Sequence, residues 1–170
     1  MYLALGIHPS DTRFLSDMDA DLAEIENMIK NQGRKCVCLG EIGLDYHYPE
    51  VREYYLTLIQ EVLETFDVDG LELDFMREIY SFGIGREYEG IAVMNAFMRE
   101  AYAIVKTAEA HWGHPIKIGV RVPDKPEKAL RLGFDVFDWV DADIVDLLVV
   151  TPRWTSIDND LPIDLWKRMM

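Results

Sequence analysis

The sequence predicts an α/β fold of parallel strand–helix units, and two observations carry that expectation. Five apolar segments rich in β-formers recur at residues 2–7, 35–42, 68–75, 116–122 and 144–150, and stretches of helical period separate the first four. Connections of this kind are right-handed crossovers between parallel strands. Five strands cannot close a (β/α)8 barrel, which takes about 250 residues and eight strands. The expected architecture is therefore a partial TIM barrel, with an open doubly wound sheet as the alternative. One domain over residues 1–170 is expected, with a possible seam near 46–49.

The clearest helix spans about 50–66, where Val51, Tyr54, Tyr55, Leu58, Ile59, Val62, Leu63 and Phe66 follow the i, i+3, i+4, i+7 rule behind Pro49. A second spans about 89–110, with Ile91, Met94, Phe97, Met98, Ala101, Tyr102 and Val105 on one stripe. A third, about 17–31, uses Leu22, Ile25, Met28 and Ile29 and stops near Gly33. Asp164, Trp166 and Met169 suggest a short final helix. Residues 80–88, with Gly83 and Gly85, read as a loop at the carboxyl end of the third strand.

With 49% hydrophobic and 28% charged residues, the composition is that of a globular chain and sets aside disordered and fibrous classes. The apolar run at 144–150 is broken by Asp146 and falls far short of the roughly 20 residues a membrane span needs. No secretory signal is visible at the N-terminus, so a cytoplasmic location is the default expectation. Cys36 and Cys38, two apart in a strand, fit neither a disulfide framework nor a metal-binding C-x-x-C and read as reduced core residues. A net charge of −14 weighs against a general grip on nucleic-acid phosphates, although bound divalent metals can supply the positive charge the side chains lack.

Candidate chemistry concentrates at strand ends. In the third strand Leu71, Leu73 and Phe75 share one face and Glu72 and Asp74 the other. The apolar face is expected to meet helices, leaving the two carboxylates, with α-carbons roughly 6.6 Å apart, on the inner face near the carboxyl end. Paired carboxylates can serve as general acid and base or nucleophile. The alternative is pairing with Lys117 and Arg121, which alternate in the same way on the fourth strand. The second strand runs into Gly40-Glu41-Ile42-Gly43-Leu44-Asp45-Tyr46-His47, and the first into Gly6-Ile7-His8-Pro9. Glu41 and His8 would then lie at one end of the sheet as candidate ligands for a hard or borderline metal. His111 and His114 precede the fourth strand, at the opposite end. Trp112, Trp139, Trp154 and Trp166 could stack on sugar rings or fill the core. Gly83-Ile84-Gly85 is only a fragment of a dinucleotide fingerprint and follows no strand directly.

Residues 1 to about 48 resemble the TatD family of metal-dependent hydrolases through Gly6-Ile7-His8-Pro9 and Gly40-Glu41-Ile42-Gly43-Leu44-Asp45-Tyr46. The resemblance implies a TIM barrel that cleaves DNA and maps the binding of a divalent metal onto Glu41. On that reading the metal is Mg, Mn or Zn, and His8 and Asp45 are the further candidate ligands. The family's N-terminal His-x-His pair is absent from the chain. Residues from about 48 to 170 resemble glycosyl-hydrolase-like TIM-barrel proteins, those called family 10 glycosylhydrolase-like. The residues that carry it are Tyr48 to Tyr55, Val68 to Phe75, Val120-Arg121-Val122-Pro123 and Trp154-Thr155-Ser156-Ile157-Asp158. That resemblance implies a carbohydrate-directed barrel with Glu72 and Asp74 near the sugar site. On the carbohydrate reading Glu72 and Asp74 are the acid pair, Arg121 is a substrate or carboxylate partner, Trp154 and Asp158 are further substrate-binding candidates, and no cofactor is needed. Joined pieces of two barrels would account for both.

Three functional expectations follow. The leading one is a glycoside-hydrolase-like protein that acts on or binds carbohydrate, and the second is a TatD-like metal-dependent deoxyribonuclease or phosphodiesterase. The third is a non-catalytic barrel fragment or chimera. A homo-oligomer is expected. Five strands leave two exposed edges, so a barrel fragment in particular should self-associate or cover its edges with a terminal segment.

Overall fold

A computed structural model describes residues 3–5, 20, 23, 27, 31, 36–39, 48–76, 81–83, 85–152 and 160–170. By internal contacts the chain divides into two compact units, Met1–Gly43 and Leu44–Met170. In the first, β1 (Leu3–Leu5) pairs in parallel with β2 (Cys36–Leu39), Leu5 standing opposite Leu39. Ala20, Ala23, Asn27 and Asn31 are helical and exposed, inside or at the edge of the expected 17–31 helix, whose apolar positions lie outside the described residues.

The second unit is a three-stranded parallel sheet with its helices. Helix α1 (Pro49–Thr65) begins on Pro49, whose fixed φ suits the first turn, and buries Tyr55, Ile59 and Leu63. Strand β3 (Gly70–Asp74) follows, and then α2 (Glu87–Trp112), which turns Met94, Phe97, Met98, Ala101 and Val105 inward. Gly113 ends α2 in the left-handed region, at φ +78°, as a C-terminal glycine is suited to do. Strand β4 (Lys117–Pro123) pairs on one side with β3 and on the other with β5 (Leu147–Thr151). Between β4 and β5 lie two short helices, α3 (Pro126–Arg131) and α4 (Val136–Asp141), the second capped by Asp135, which accepts a hydrogen bond from the Asp138 N–H. The chain ends in α5 (Ile163–Met169).

The fold class is as expected: α/β, parallel strands, an open sheet, helices alternating with strands. Among the described residues the strands divide into a pair and a trio. Ile118, Val120 and Val122 of the central strand are fully buried, flanked by half-buried Leu71 and Leu73 on β3 and Leu148 and Val150 on β5. Phe75 packs on Trp139 of α4 at 5.9 Å and on Phe134, in the connection before that helix, at 5.3 Å, so the apolar face of β3 meets the helical layer as its alternation predicts.

The amino end of the sheet is held by carboxylates. Glu109 accepts from the Ile116 N–H at 2.9 Å, and Asp146 from the Ile118 N–H at 3.0 Å and from Lys117 Nζ at 2.5 Å. Lys117 therefore pairs with Asp146 rather than with Glu72. His114, expected at this end, joins the two connections there, with Nε2 2.6 Å from Asp67 Oδ1 and Nδ1 3.0 Å from the Pro115 carbonyl oxygen. Hydrogen bonding to Asp67, then to that carbonyl, raises the imidazole pKa above its ordinary value. A raised folded pKa gives a contribution that is complete below the unfolded pKa of about 6.5 and is lost as pH rises through the folded value. The gap in urea midpoint between the wild type and His114→Gln should thus close as pH rises from about 5.5 to about 8.5. A gap independent of pH would rule out protonation as its origin.

Candidate active site

In parallel α/β sheets, ligands gather at the carboxyl ends of the strands, and the residues there come from β3, β4 and the turn after β4. Register sets them. Glu72 stands opposite Gly119 and Asp74 opposite Arg121, so all four lie on the sheet face away from the helices. Leu147, Val149 and Thr151 of β5 continue that face. Glu72 and Asp74 are exposed. The inner face expected of a barrel is present, but three strands do not curl far enough to enclose it.

Asp74 is the most constrained of the group. Oδ2 accepts from Arg121 Nη1 at 2.8 Å and Oδ1 from the Met76 N–H at 2.8 Å, so both oxygens are engaged. Glu72 makes no hydrogen bond or ion pair among the described residues. It lies along the backbone of Gly119, where an added Cβ would meet the Glu72 Cγ at 3.7 Å and Leu147 side-chain atoms at 3.7 Å. Alanine would fit, so packing does not require the glycine. Its effect is a shallow notch in the central strand between a free carboxylate and a leucine. Chemically the group offers one open carboxylate for proton transfer or hydrogen bonding and a carboxylate–guanidinium pair that can orient a polyhydroxylated or anionic ligand.

The Asp74–Arg121 pair is about half exposed on both sides. Asp74→Asn and Arg121→Gln should each change unfolding free energy by less than about 1 kcal/mol in urea melts. Losses well above that would make the pair structural rather than available to a ligand.

Sequence reasoning passed over Asp124. It follows β4 directly, is only 4% exposed, and binds Lys128 Nζ at 3.0 Å. Its carbonyl oxygen accepts from Trp166 Nε1 at 2.8 Å, which pins α5 over the carboxyl end of the central strand. Trp166 also stacks on Phe137 at 5.6 Å, and Trp139 is buried, so these two tryptophans are core residues. Trp112 donates to the Leu63 carbonyl and is likewise structural. The signal for Asp124 was its place, one residue past the strand end in Val122-Pro123-Asp124.

His8, Glu41, Asp45, Trp154 and Asp158 lie outside the described residues, as does part of the 80–88 loop. Among the described residues no group of three or more His, Cys, Asp or Glu could hold a metal ion. No helix among them is long and apolar enough to cross a membrane. A groove of about 370 Å³ between α1 and α2, lined by Arg52, Glu53, Gln60, Phe97, Glu100 and Ile104, lies on the helical layer away from the strand ends.

A family model described as TatD related DNase matches residues 1–67. The match covers His8, Glu41 and Asp45 and runs on through α1, so residues 48–67, including the Tyr48 to Tyr55 stretch read above as glycosyl-hydrolase-like, fall within it. It stops before β3 and does not reach Glu72, Asp74 or Arg121. No curated protein matches the chain.

Proposed function

We propose that the chain is a TatD-like hydrolase of phosphodiester bonds in DNA, dependent on a divalent metal for which His8, Glu41 and Asp45 are the candidate ligands. The match to the family of TatD related DNases over residues 1–67 carries this reading. The backbone of the first unit supports it: β1 and β2 are parallel neighbours, so the chain leaves both at one end of that sheet, three residues before His8 and two before Glu41. One imidazole and two carboxylates are a donor set suited to Mn or Zn, and the carboxylates to Mg. A bound cation would also offset, at the site, the net charge of −14 that otherwise repels a polyanion.

The test is cleavage of a single-stranded oligonucleotide by the purified chain with Mg, Mn or Zn added, or with chelator. Metal-dependent cleavage that Glu41→Gln reduces to background is expected. Cleavage equal in wild type and Glu41→Gln, or none with any metal, would overturn the proposal.

A second reading is favoured by the geometry of the three-stranded sheet. Glu72, Asp74 and Arg121 sit together on an exposed face near the strand ends, and carboxylates and a guanidinium are groups that can bind a carbohydrate. On that reading Glu72 is the open carboxylate and Asp74 with Arg121 the fixed partner. Glycan binding that survives Glu72→Gln unchanged would remove Glu72 from any such site.

A further inference from the structure

The two outer strands of the three-stranded sheet differ in a way that selects a partner. Along a strand, alternate residues direct both backbone N–H and C=O to the same side. The Asp146 N–H donates to the Ile118 carbonyl at 2.8 Å, so Asp146, Leu148 and Val150 face β4. Leu147, Val149 and Thr151 then turn theirs to the outer edge. On the other side, the Asp69 carbonyl accepts from the Lys117 N–H and the Phe75 N–H donates to the Arg121 carbonyl, each at 3.0 Å. The outward residues of β3 are therefore Gly70, Glu72 and Asp74. Among the described residues, neither edge pairs with another strand.

We infer that the outer edge of β5 is a self-association surface, on which a second copy of this chain pairs its own β5 in antiparallel fashion about Val149. Two-fold pairing there sets Val149 opposite Val149 and Leu147 opposite Thr151. All are uncharged, and β-branched or aliphatic pairs of this kind favour adjacent strands. Leu147 is 55% exposed and would gain cover from its partner. The same operation on β3 would set Glu72 directly opposite Glu72, and mixed pairing would place carboxylates against Val149 and Leu147, so both alternatives are disfavoured. In a chain of net charge −14, copies generally repel, and β5 (Leu147-Leu148-Val149-Val150-Thr151) offers five successive residues without a charge. The joined structure is a six-stranded sheet with both Glu72–Asp74 faces on one side.

The test is light scattering of the full chain over a dilution series, with hydrogen exchange at the amides of Val149 and Thr151. A mass of twice 19.7 kDa at high micromolar concentration, falling to one chain on dilution, is expected, with the two amides more protected in the concentrated sample. Val149→Pro deletes an outward N–H without removing a bond to β4, and Leu147→Lys adds a charge at an exposed position. Each should leave a single-chain mass at every concentration, with the melt that the wild type shows when diluted to one chain. A wild type that stays monomeric, a dimer that persists in Leu147→Lys, or amide exchange independent of concentration would overturn the inference.

Discussion

Replacing Trp139 with alanine should cost about 3–5 kcal/mol, a large part of the roughly 5–15 kcal/mol that holds a domain together. Trp139 is 0% exposed, donates from Nε1 to Asn95 Oδ1 at 2.8 Å and packs on Phe75 at 5.9 Å. It thus joins α4 to α2 and to the end of β3, and its carbonyl accepts the Ile144 N–H at 2.9 Å where the chain turns toward β5. Truncation leaves a cavity where three elements meet, and the surrounding side chains can only partly collapse into it. With a urea dependence of about 1–3 kcal/mol per molar, the midpoint should fall by more than about 1 M. Trp139→Phe, which keeps most of the packing but leaves Asn95 without its donor, should cost about 1–3 kcal/mol. Equal losses for the two variants would show that the indole hydrogen bond, not the ring volume, is what matters.

The second large effect is expected around Phe82. Its ring, 3% exposed, lies against two glycines, Gly90 in α2 and Gly133 in the turn after α3. A Cβ added at Gly90 would stand 2.4 Å from the Phe82 Cδ2, and one at Gly133 would stand 2.7 Å from its Cε2. Gly133 also holds φ +96°, which an L side chain adopts only under strain. Gly133→Ala should therefore cost about 2–4 kcal/mol, combining a steric term of about 1–3 and a backbone term of about 1. Gly90→Ala should cost less, because the helical interior favours alanine by about 1 kcal/mol. In a double-mutant cycle with Phe82→Ala the steric term disappears, so the combined loss should fall short of the sum by about 1–3 kcal/mol. Additive losses would mean that the ring and the glycines do not constrain each other.

How much of this was legible in the sequence depended on the length and period of each element. Helices α1 and α2 repeat their apolar stripe over several turns, and each boundary falls within two residues of expectation. Strand β3 was legible because its alternation is strict, and the Asp74–Arg121 pair followed from that alternation on two adjacent strands. Helices α3 and α4, of six residues each, are too short to display a period, although Pro126 and Asp135 stand at their starts. Strand β5 begins three residues later than expected, because the Ile144 N–H still bonds back to Trp139 and Asp146 makes the first bond to β4. Whether Glu72 faces an enclosed interior or solvent is a property of strand number and closure, which no local pattern encodes. Asp124 was missed because a lone acid after a strand carries no spacing signal. Its burial follows from Trp166, some forty residues away along the chain.

The contrast between the two sheet edges also sets a limit on assembly size. A two-fold contact consumes the same edge on both molecules, so once the β5 edges have met, the edges of the three-stranded sheet that remain outward are the carboxylate-bearing ones of β3. Those repel one another, so the three-stranded sheet does not extend beyond two copies. Had the acids lain on β5 and the valines on β3, the same argument would hold with the roles exchanged. Had both edges been uncharged, each added copy would have presented a fresh edge to the next, and the sheet could have extended without limit into a fibre.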